Sequence, residues 1–457
     1  MNTFSDIEKL RPLLSPAAEL IVDLTGDYEK YRQDATEEQG NPAAAVLAAS
    51  EADVIATMLF ARERGLAVVP RGAGTGLSGG AVPAEGSIVL SVERMNEIRI
   101  DPKACRAVCG PGTITKDLLD AAAPYDLTYP PDPASYLECS LGGNVAENAG
   151  GLRCKRFGVT RDYVLGLRAI TVEGTVLKTG CYNNNRGFNL GDLLIGSEGT
   201  LAIVTEMTLR LIPTPLRGSC ILIAFDAETD AAQSVAQITR AGVIPTVMEY
   251  LDRDAAACSN RYEKTEGLDD VAAILLIETQ GERDREQLEQ VTEISRGNHC
   301  SFLRIEHDPA KIEELWRVRR NLSKAIRDVA IFRYNEDVAV PVSQFMTLIG
   351  FVAAENAAGP LRINAFGHAG DGNLHVSFLS MTGSNEEIAL IAAARERLYR
   401  KTIELGGTLS GEHGIGSHKG VYLPWEFDAV TLGAMRSLKD LFDPTLQINP
   451  GKIFATL

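Results

Sequence analysis

PRGAGTGLSGG, residues 70–80, follows directly on the apolar run LAVVP. Gly72, Gly74, Gly76, Gly79 and Gly80 free the backbone to take left-handed angles and to turn N–H groups outward as an anion cradle. This is not the dinucleotide fingerprint, because no G-x-G-x-x-G opens a helix with an acidic residue about 20 positions later. Nor is it a P-loop, since no Lys-Ser/Thr follows. Taken alone, the stretch also fits a flexible surface loop. Two further stretches tip the balance. CSLGGNVAENAGG (139–151) places Gly142, Gly143, Gly150 and Gly151 beside Asn144 and Asn148, whose amides hydrogen-bond without adding charge. GSEGTLAIVTEMTL (196–209) begins as a glycine turn and runs into a strand pattern. Three such loops in one half of the chain, with no catalytic nucleophile among them, suit a large, flat, phosphate-bearing cofactor better than a small substrate.

The remaining sequence sets the frame around these loops. A chain of 457 residues suggests two or three domains. The hydrophobic content of 45% is enough for a large core. Forty-five basic against 61 acidic residues leave a net charge of −16, with no basic block, which argues against nucleic acid and anionic membranes as partners. The start, MNTFSDIEKLRPLL, lacks the apolar segment of a secretory signal, and no apolar run reaches a membrane span. The expectation is a cytoplasmic protein. Its eight cysteines are scattered, with no C-x-x-C pair, so they are expected reduced and buried, without an iron–sulfur signature.

Residues 45–126 read as α/β: a strand in AAAVLAAS, a helix in EADVIATMLFARERG stopped by glycine, strands in LAVVP and SIVLSV, and a helix in ITKDLLDAAAPY. From 127 to 200 the helical pattern fades. Prolines 213 and 215 suggest a boundary. Beyond it CILIAFD, TVMEYLD, AAILLIET and SFLRI read as strands, with helices over 228–240 and 282–296, a mixture expected to form an antiparallel α+β sheet. One long helix is expected over 309–330, and another in DAVTLGAMRSLKDLFDP that Pro444 stops.

Four of six histidines fall in two short motifs. GHAGDGNLHVSF (367–378) flanks a glycine-rich link with strand-like segments, so His368 and His375 are expected at the two mouths of a tight turn, close in space. Asp371 there is expected to form the turn. LSGEHGIGSHKG (409–420) holds Glu412 beside His413, with His418 further on. Two imidazoles and one carboxylate make a three-ligand site with open positions, as in catalytic Zn²⁺, Mn²⁺ or Fe²⁺ centres. The competing reading is ordinary polar turn residues bonded to backbone.

The order PRGAGTGLSGG, PDPAS, GGNVAENAGG, GSEGTLAIVTE, GHAGDGNLH, SGEHGIG, NPGKIF resembles the FAD-linked oxidases of the vanillyl-alcohol-oxidase/p-cresol-methylhydroxylase (PCMH) superfamily. Within it, the order is similar to that of the FAD subunit of glycolate oxidase and of D-lactate and D-2-hydroxyglutarate dehydrogenases. The match runs from about residue 40 to 456. It implies an α+β fold: a two-part PCMH-type FAD-binding domain over 1–216 and a C-terminal segment 415–457 that returns to it, with an antiparallel α+β substrate/cap domain over 217–414. It implies FAD held by Arg71, Gly72, Ala73, Gly74, Thr75, Gly76, Leu77, Ser78 and Gly79 at the pyrophosphate. Pro131, Asp132, Ser135, Gly143, Asn144, Ala146, Gly150, Gly151, Glu198, Gly199, Ile203 and Asn449 would lie along the flavin. The loop 71–80 holds no histidine or cysteine, so the FAD is expected to be non-covalent. The chain departs from the family at NNRGFNL (184–190), with Arg186 where relatives carry threonine.

The resemblance also implies roles for the histidines. His368, His375 and Glu412 would bind a divalent metal (Zn, Mn or Fe), and His413 would be the catalytic base. Of the three arginines in LWRVRRNLSKA (315–325), it points to Arg319 as the clamp for the substrate carboxylate, with Ser323 one turn on. Arg317 and Arg320 are expected on a solvated face. In YNEDVAVP (334–341), Asn335 stands where the hydroxyglutarate enzyme has a lysine. That leans toward glycolate or D-lactate and away from a dicarboxylate. The activity implied is FAD-dependent oxidation of a D-2-hydroxy acid to the 2-oxo acid, with His413 binding substrate and taking its hydroxyl proton. Electrons would pass to an iron–sulfur subunit, a cytochrome, an electron-transfer flavoprotein or a quinone, with the protein peripheral at the membrane through that partner and a homodimer left open. Three competing readings remain: D-2-hydroxyglutarate as substrate, a metal hydrolase that leaves the glycine loops unexplained, and a non-catalytic flavoprotein subunit of an electron-transfer complex.

Overall fold

The computed structural model describes residues 6–180, 188–216 and 218–454. Arg186 and most of the NNRGFNL stretch lie outside the described residues. Contacts divide the chain into two compact units. The first comprises Met1–Gly151, Gly158–Thr214 and Glu412–Leu457, and the second Leu152–Phe157 and Pro215–Gly411. Among the described residues no helix is long and apolar enough to cross a membrane.

Unit 1 contains two principal sheets. The four-stranded sheet runs in the order Glu19–Ile21, Ala44–Leu47, Ile88–Ser91, Val68–Arg71. Its last three strands are parallel, and the first joins antiparallel. Strands buried on both faces need continuous apolar runs, and AAVL and IVLS are buried at every position. The helix Glu51–Arg64 packs against this sheet; the Ser50 hydroxyl caps its start, and Gly65 at φ +63° ends it. The second sheet is antiparallel, in the order Ile98–Asp101, Arg106–Cys109, Ile203–Arg210, Val164–Ile170, Val176–Thr179. The returning segment locks onto the first sheet. Val68 donates to Gln447 O at 2.8 Å, Asn449 donates back to Val68 O at 2.8 Å, and the buried Lys439 ammonium bonds Thr200 O, Ile448 O and Asp443.

Unit 2 is a seven-stranded antiparallel sheet, in the order Phe302–Glu306, Ser219–Phe225, Ala273–Thr279, Val247–Asp252, Arg362–His368, Asn373–Ser380, Phe332–Ala339. Leu222, Leu251, Leu276 and Phe366 face the helices Arg253–Tyr262, Pro309–Arg320 and Leu322–Arg327 in one core. Tyr250 and Glu336 face the other way, toward Phe345 of one helix and toward Arg395 and Tyr399 of another.

The structure corrects three expectations. The segment 139–151 contains a helix, Leu141–Glu147, started by the Ser140 hydroxyl, which accepts from Gly143 N. Glycine content hid it. The expected long helix over 309–330 is two helices that meet at Asn321. Of the seven cysteines described, Cys105, Cys154 and Cys300 are half-buried, not buried.

Candidate active site

The loop 72–80 leaves the end of strand Val68–Arg71, and a cleft of unit 1 opens against it. A Cβ at Gly72 would overlap the Ser140 hydroxyl, and one at Gly74, which is at φ +74°, would overlap the Arg71 guanidinium. Arg71 itself turns under the loop. It is 5% exposed, donates to Gln33 O at 2.5 Å and lies over the Tyr31 ring; burial pushes its pKa down. The cleft has about 240 Å³ of space, on the order of twenty times the ~10–15 Å³ that one water needs. It therefore takes a ligand of many atoms.

Arg71 to Leu77, Ser135, Gly143, Asn144, Ala146, Gly150, Glu198, Gly199 and Ile203 line the cleft. Ser78, Gly79, Pro131, Asp132, Gly151 and Asn449 lie outside that lining. Ser78 and Gly79 meet the returning segment: Ser417 N donates to Ser78 O at 3.0 Å, and a Cβ at Gly79 would overlap Ser417 Oγ. Gly151, at φ +143°, lies so close over the Asp132 backbone that a side chain would overlap it. Asn449 donates to Gly80 O at 3.0 Å and Glu198 O at 2.8 Å, while its Oδ1 is buried without a partner. Asn144 donates to Thr115 Oγ1 at 2.8 Å, and Asn148 ends its helix at φ +53° with Oδ1 accepting from Arg161 N at 2.9 Å. Glycine positions that exclude a Cβ and the size of the cleft fit a large polar cofactor such as FAD.

Glu412 and His413 open the returning segment of unit 1 and line the same cleft. So does Glu147, which residue patterns had not singled out. Its Oε2 is buried without a partner, and burial together with the nearby Glu198 charge raises its pKa well above the ordinary value. Burial raises Glu198 as well, opposed by two backbone donors, Ile415 N at 2.6 Å and Gly416 N at 2.7 Å.

In unit 2, His368 ends one strand and His375 stands third in the next, cross-paired with Phe366 and two residues inside the turn mouth where it was expected. Register places both histidines on the same sheet face, with ring centroids 5.3 Å apart and a ring nitrogen of each within 4.8 Å of the other. Glu249 Oε1 hydrogen-bonds His368 Nδ1, and the buried Asp337 Oδ1 stands 3.5 Å from His375 Nδ1, an ion-pair distance. Asn373 donates to Asp337 at 2.5 Å and steadies it. At His368 the carboxylate on Nδ1 fixes the tautomer and directs Nε2 outward, the usual support of a metal-binding imidazole. Glu249 is fully buried. Burial opposes its charge, but His368 and Arg319 outweigh that and bring its pKa down to about 2.

Arg319 is 8% exposed and gives Nε to Glu249 Oε2 at 2.6 Å, with its guanidinium over the Phe366 ring. Arg317 and Arg320 pair with Glu263 and Glu313 at the surface, as residues of a solvated face do. Ser323 lies on the second short helix, half-buried. Asn335 shares the histidine face and accepts from Ser377 Oγ at 3.1 Å. Glu249 and Asp337 escaped the sequence reading because no local motif marks them; only strand register brings them to the histidines.

A family model described as FAD linked oxidases, C-terminal domain, matches residues 214–453, and an FAD binding domain matches 42–180. The glycolate oxidase subunit GlcD of Bacillus subtilis is 36% identical over 93% of this chain and 92% of that protein. A D-lactate dehydrogenase of Archaeoglobus fulgidus is 32% identical over 96% and 98%. A D-2-hydroxyglutarate dehydrogenase of Xanthomonas citri pv. viticola is 32% identical over 94% and 93%. Among solved structures, p-cresol methylhydroxylase with substrate bound has a TM-score of 0.79 at 16% identity, covering 98% of this chain and 96% of that one. The 4-ethylphenol oxidase of Gulosibacter chungangensis scores 0.76 at 18%, with the same coverage. At these identities the likeness shows the fold: the two-domain FAD-binding architecture of p-cresol methylhydroxylase.

Proposed function

The chain belongs to the FAD-linked oxidases, and on that premise we propose that it is an FAD-dependent dehydrogenase of a small D-2-hydroxy acid, glycolate or D-lactate before D-2-hydroxyglutarate. The observation that carries this reading is the buried pair His368 and His375, with Glu249 bonded to the first at Nδ1 and Asp337 close beside the second. A hydrolase needs such a pair too, but it has no use for an FAD-binding domain. FAD, held along the glycine loops that line the unit 1 cleft, would supply the two-electron acceptor for the C2 hydrogen. A divalent cation held by His368, His375 and Glu412 would acidify the C2 hydroxyl.

The chain's own residues do the rest. His413, on the rim of the unit 1 cleft, takes the hydroxyl proton at a ring nitrogen. Arg319 keeps Nε on Glu249, which leaves its two Nη groups as a planar fork for the substrate carboxylate. Asn335 offers a neutral amide, which cannot neutralise a second carboxylate as a lysine would. That favours the short acids.

The test is an anaerobic flavin-bleaching screen with glycolate, D-lactate, L-lactate and D-2-hydroxyglutarate. Glycolate or D-lactate is expected to bleach fastest, and L-lactate not at all. Fastest bleaching by D-2-hydroxyglutarate would reassign the substrate. An FAD-loaded protein that no acid bleaches would overturn the reading.

A further inference from the structure

We propose that Glu198 is a positioning residue whose carboxylate holds the turn that carries His413, and so places the base. This rests on the assignment of His413 as base. Several segments of unit 1 meet at Glu198. Its backbone is left-handed, φ +53°, between Gly196 at +80° and Gly199 at +64°. An L-residue holds that conformation where its surroundings over-determine it. The surroundings here are visible. Glu198 N donates to Ala146 O at 2.8 Å, and Glu198 O accepts from Asn449 Nδ2 at 2.8 Å.

The side chain, 6% exposed, then reaches the returning segment. Oε1 accepts from Ile415 N at 2.6 Å and Oε2 from Gly416 N at 2.7 Å. Two consecutive backbone donors need two acceptors on one group. A carboxylate provides them, whereas an amide turns its own N–H₂ against one donor. Both Glu198 oxygens are thus committed to the turn. Downstream, Gly416 O accepts from Ile453 N at 2.8 Å and Ser417 N donates to Ser78 O at 3.0 Å, so the clamp is itself anchored. Upstream, the chain passes Gly414 at φ +86°, where a Cβ would overlap Glu147 Oε2 and come within 3.0 Å of Glu198 Oε1. His413 is the next residue back. Its backbone is therefore set by bonds that begin two residues further on.

The experiment uses the FAD-loaded full chain with Glu198→Gln and Glu198→Asp, each alone and combined with His413→Ala. Glu198→Gln is expected to keep the flavin content and absorption spectrum of the parent. Hydrogen exchange of a peptide spanning 412–418 should quicken several-fold while that of 72–80 stays unchanged. Flavin reduction at saturating acid should slow by roughly 10–100-fold, the cost of a displaced catalytic group, with the acid's Kd changed little. Glu198→Asp should restore part of the rate. In the His413→Ala background Glu198→Gln should cost nothing further, because residues that act as a unit are non-additive.

A shifted flavin spectrum or lost FAD would return Glu198 to the cofactor and overturn the inference. So would additive losses in the double variant, or unchanged exchange over 412–418. If Glu198→Gln does not fold, Glu198→Asp carries the same measurements at smaller amplitude. A His413→Ala protein that reduces its flavin normally would sink the base assignment, while the exchange data would still judge the clamp.

Discussion

Glu249 stands 119 positions before His368 in the chain, yet its carboxylate lies on that ring's Nδ1 and on Arg319 Nε. One side chain thus orients both a proposed metal ligand and the proposed substrate clamp. Histidine is rare in this chain, and the two motifs that hold four of the six were legible for that reason. A glutamate among 61 acidic residues carries no such mark. Its role depends on strand pairing, Glu249 opposite His368, which local pattern does not encode. Glu249→Gln replaces an anion by an amide of the same shape. The expected result is roughly 10–100-fold weaker metal binding, the usual cost of a lost supporting carboxylate, with FAD retained. Chelator competition on the FAD-loaded protein measures it, and unchanged metal affinity would show that Glu249 serves Arg319 alone.

At the scale of elements, several strands and the helices Glu51–Arg64 and Glu228–Arg240 declared themselves through apolar runs and caps, while the helices Phe345–Ala358 and Asn385–Glu404 went unread. Two further elements did not declare themselves either. Leu141–Glu147 was hidden because Gly142 and Gly143 lower helix propensity; a Cβ at Gly142 would press to 2.7 Å from Pro111 Cβ, so close packing dictates the glycine. The helix Arg253–Tyr262 was missed because it follows a strand with no loop between; Asp252 ends one and caps the other.

That cap makes a pH prediction. Asp252 accepts from Ala255 N at 2.8 Å and Ala365 N at 2.6 Å, but burial, with Asp254 and Glu228 nearby, pushes its pKa up to about 8. A carboxyl raised on folding stabilises the folded state fully below its ordinary value of 3.8, and that contribution is lost as pH rises through about 8. Asp252→Asn keeps a capping side chain but cannot ionise. The parent's Tm advantage over Asp252→Asn should therefore shrink between pH 5 and 8.5 by at least about 2–4 °C, the shift that 1 kcal/mol makes in a domain of this size. A difference that stays flat across that range would mean Asp252 titrates elsewhere.

At the scale of the molecule, both the flavoprotein reading and the return of Glu412–Leu457 to unit 1 came through the family resemblance of the motif order. The bonds that make it, Val68 to Gln447 and Asn449, join residues far apart in the chain. The same view of the whole chain bears on where electrons go. Within these 457 residues the cysteines have no C-x-x-C spacing, so no iron–sulfur run and no haem-attachment motif is present. After the hydroxy acid is oxidised, two electrons rest on the flavin. The expected acceptors are oxygen, a quinone or another protein. The motif order leads to the expectation of a protein or quinone acceptor. The expected outcome is slow reoxidation by oxygen and fast reoxidation by an artificial dye such as dichlorophenolindophenol. Stopped-flow traces of the reduced protein mixed with each acceptor decide it. If air-saturated buffer restores the flavin spectrum as fast as the dye does, the protein is an oxidase that needs no electron partner.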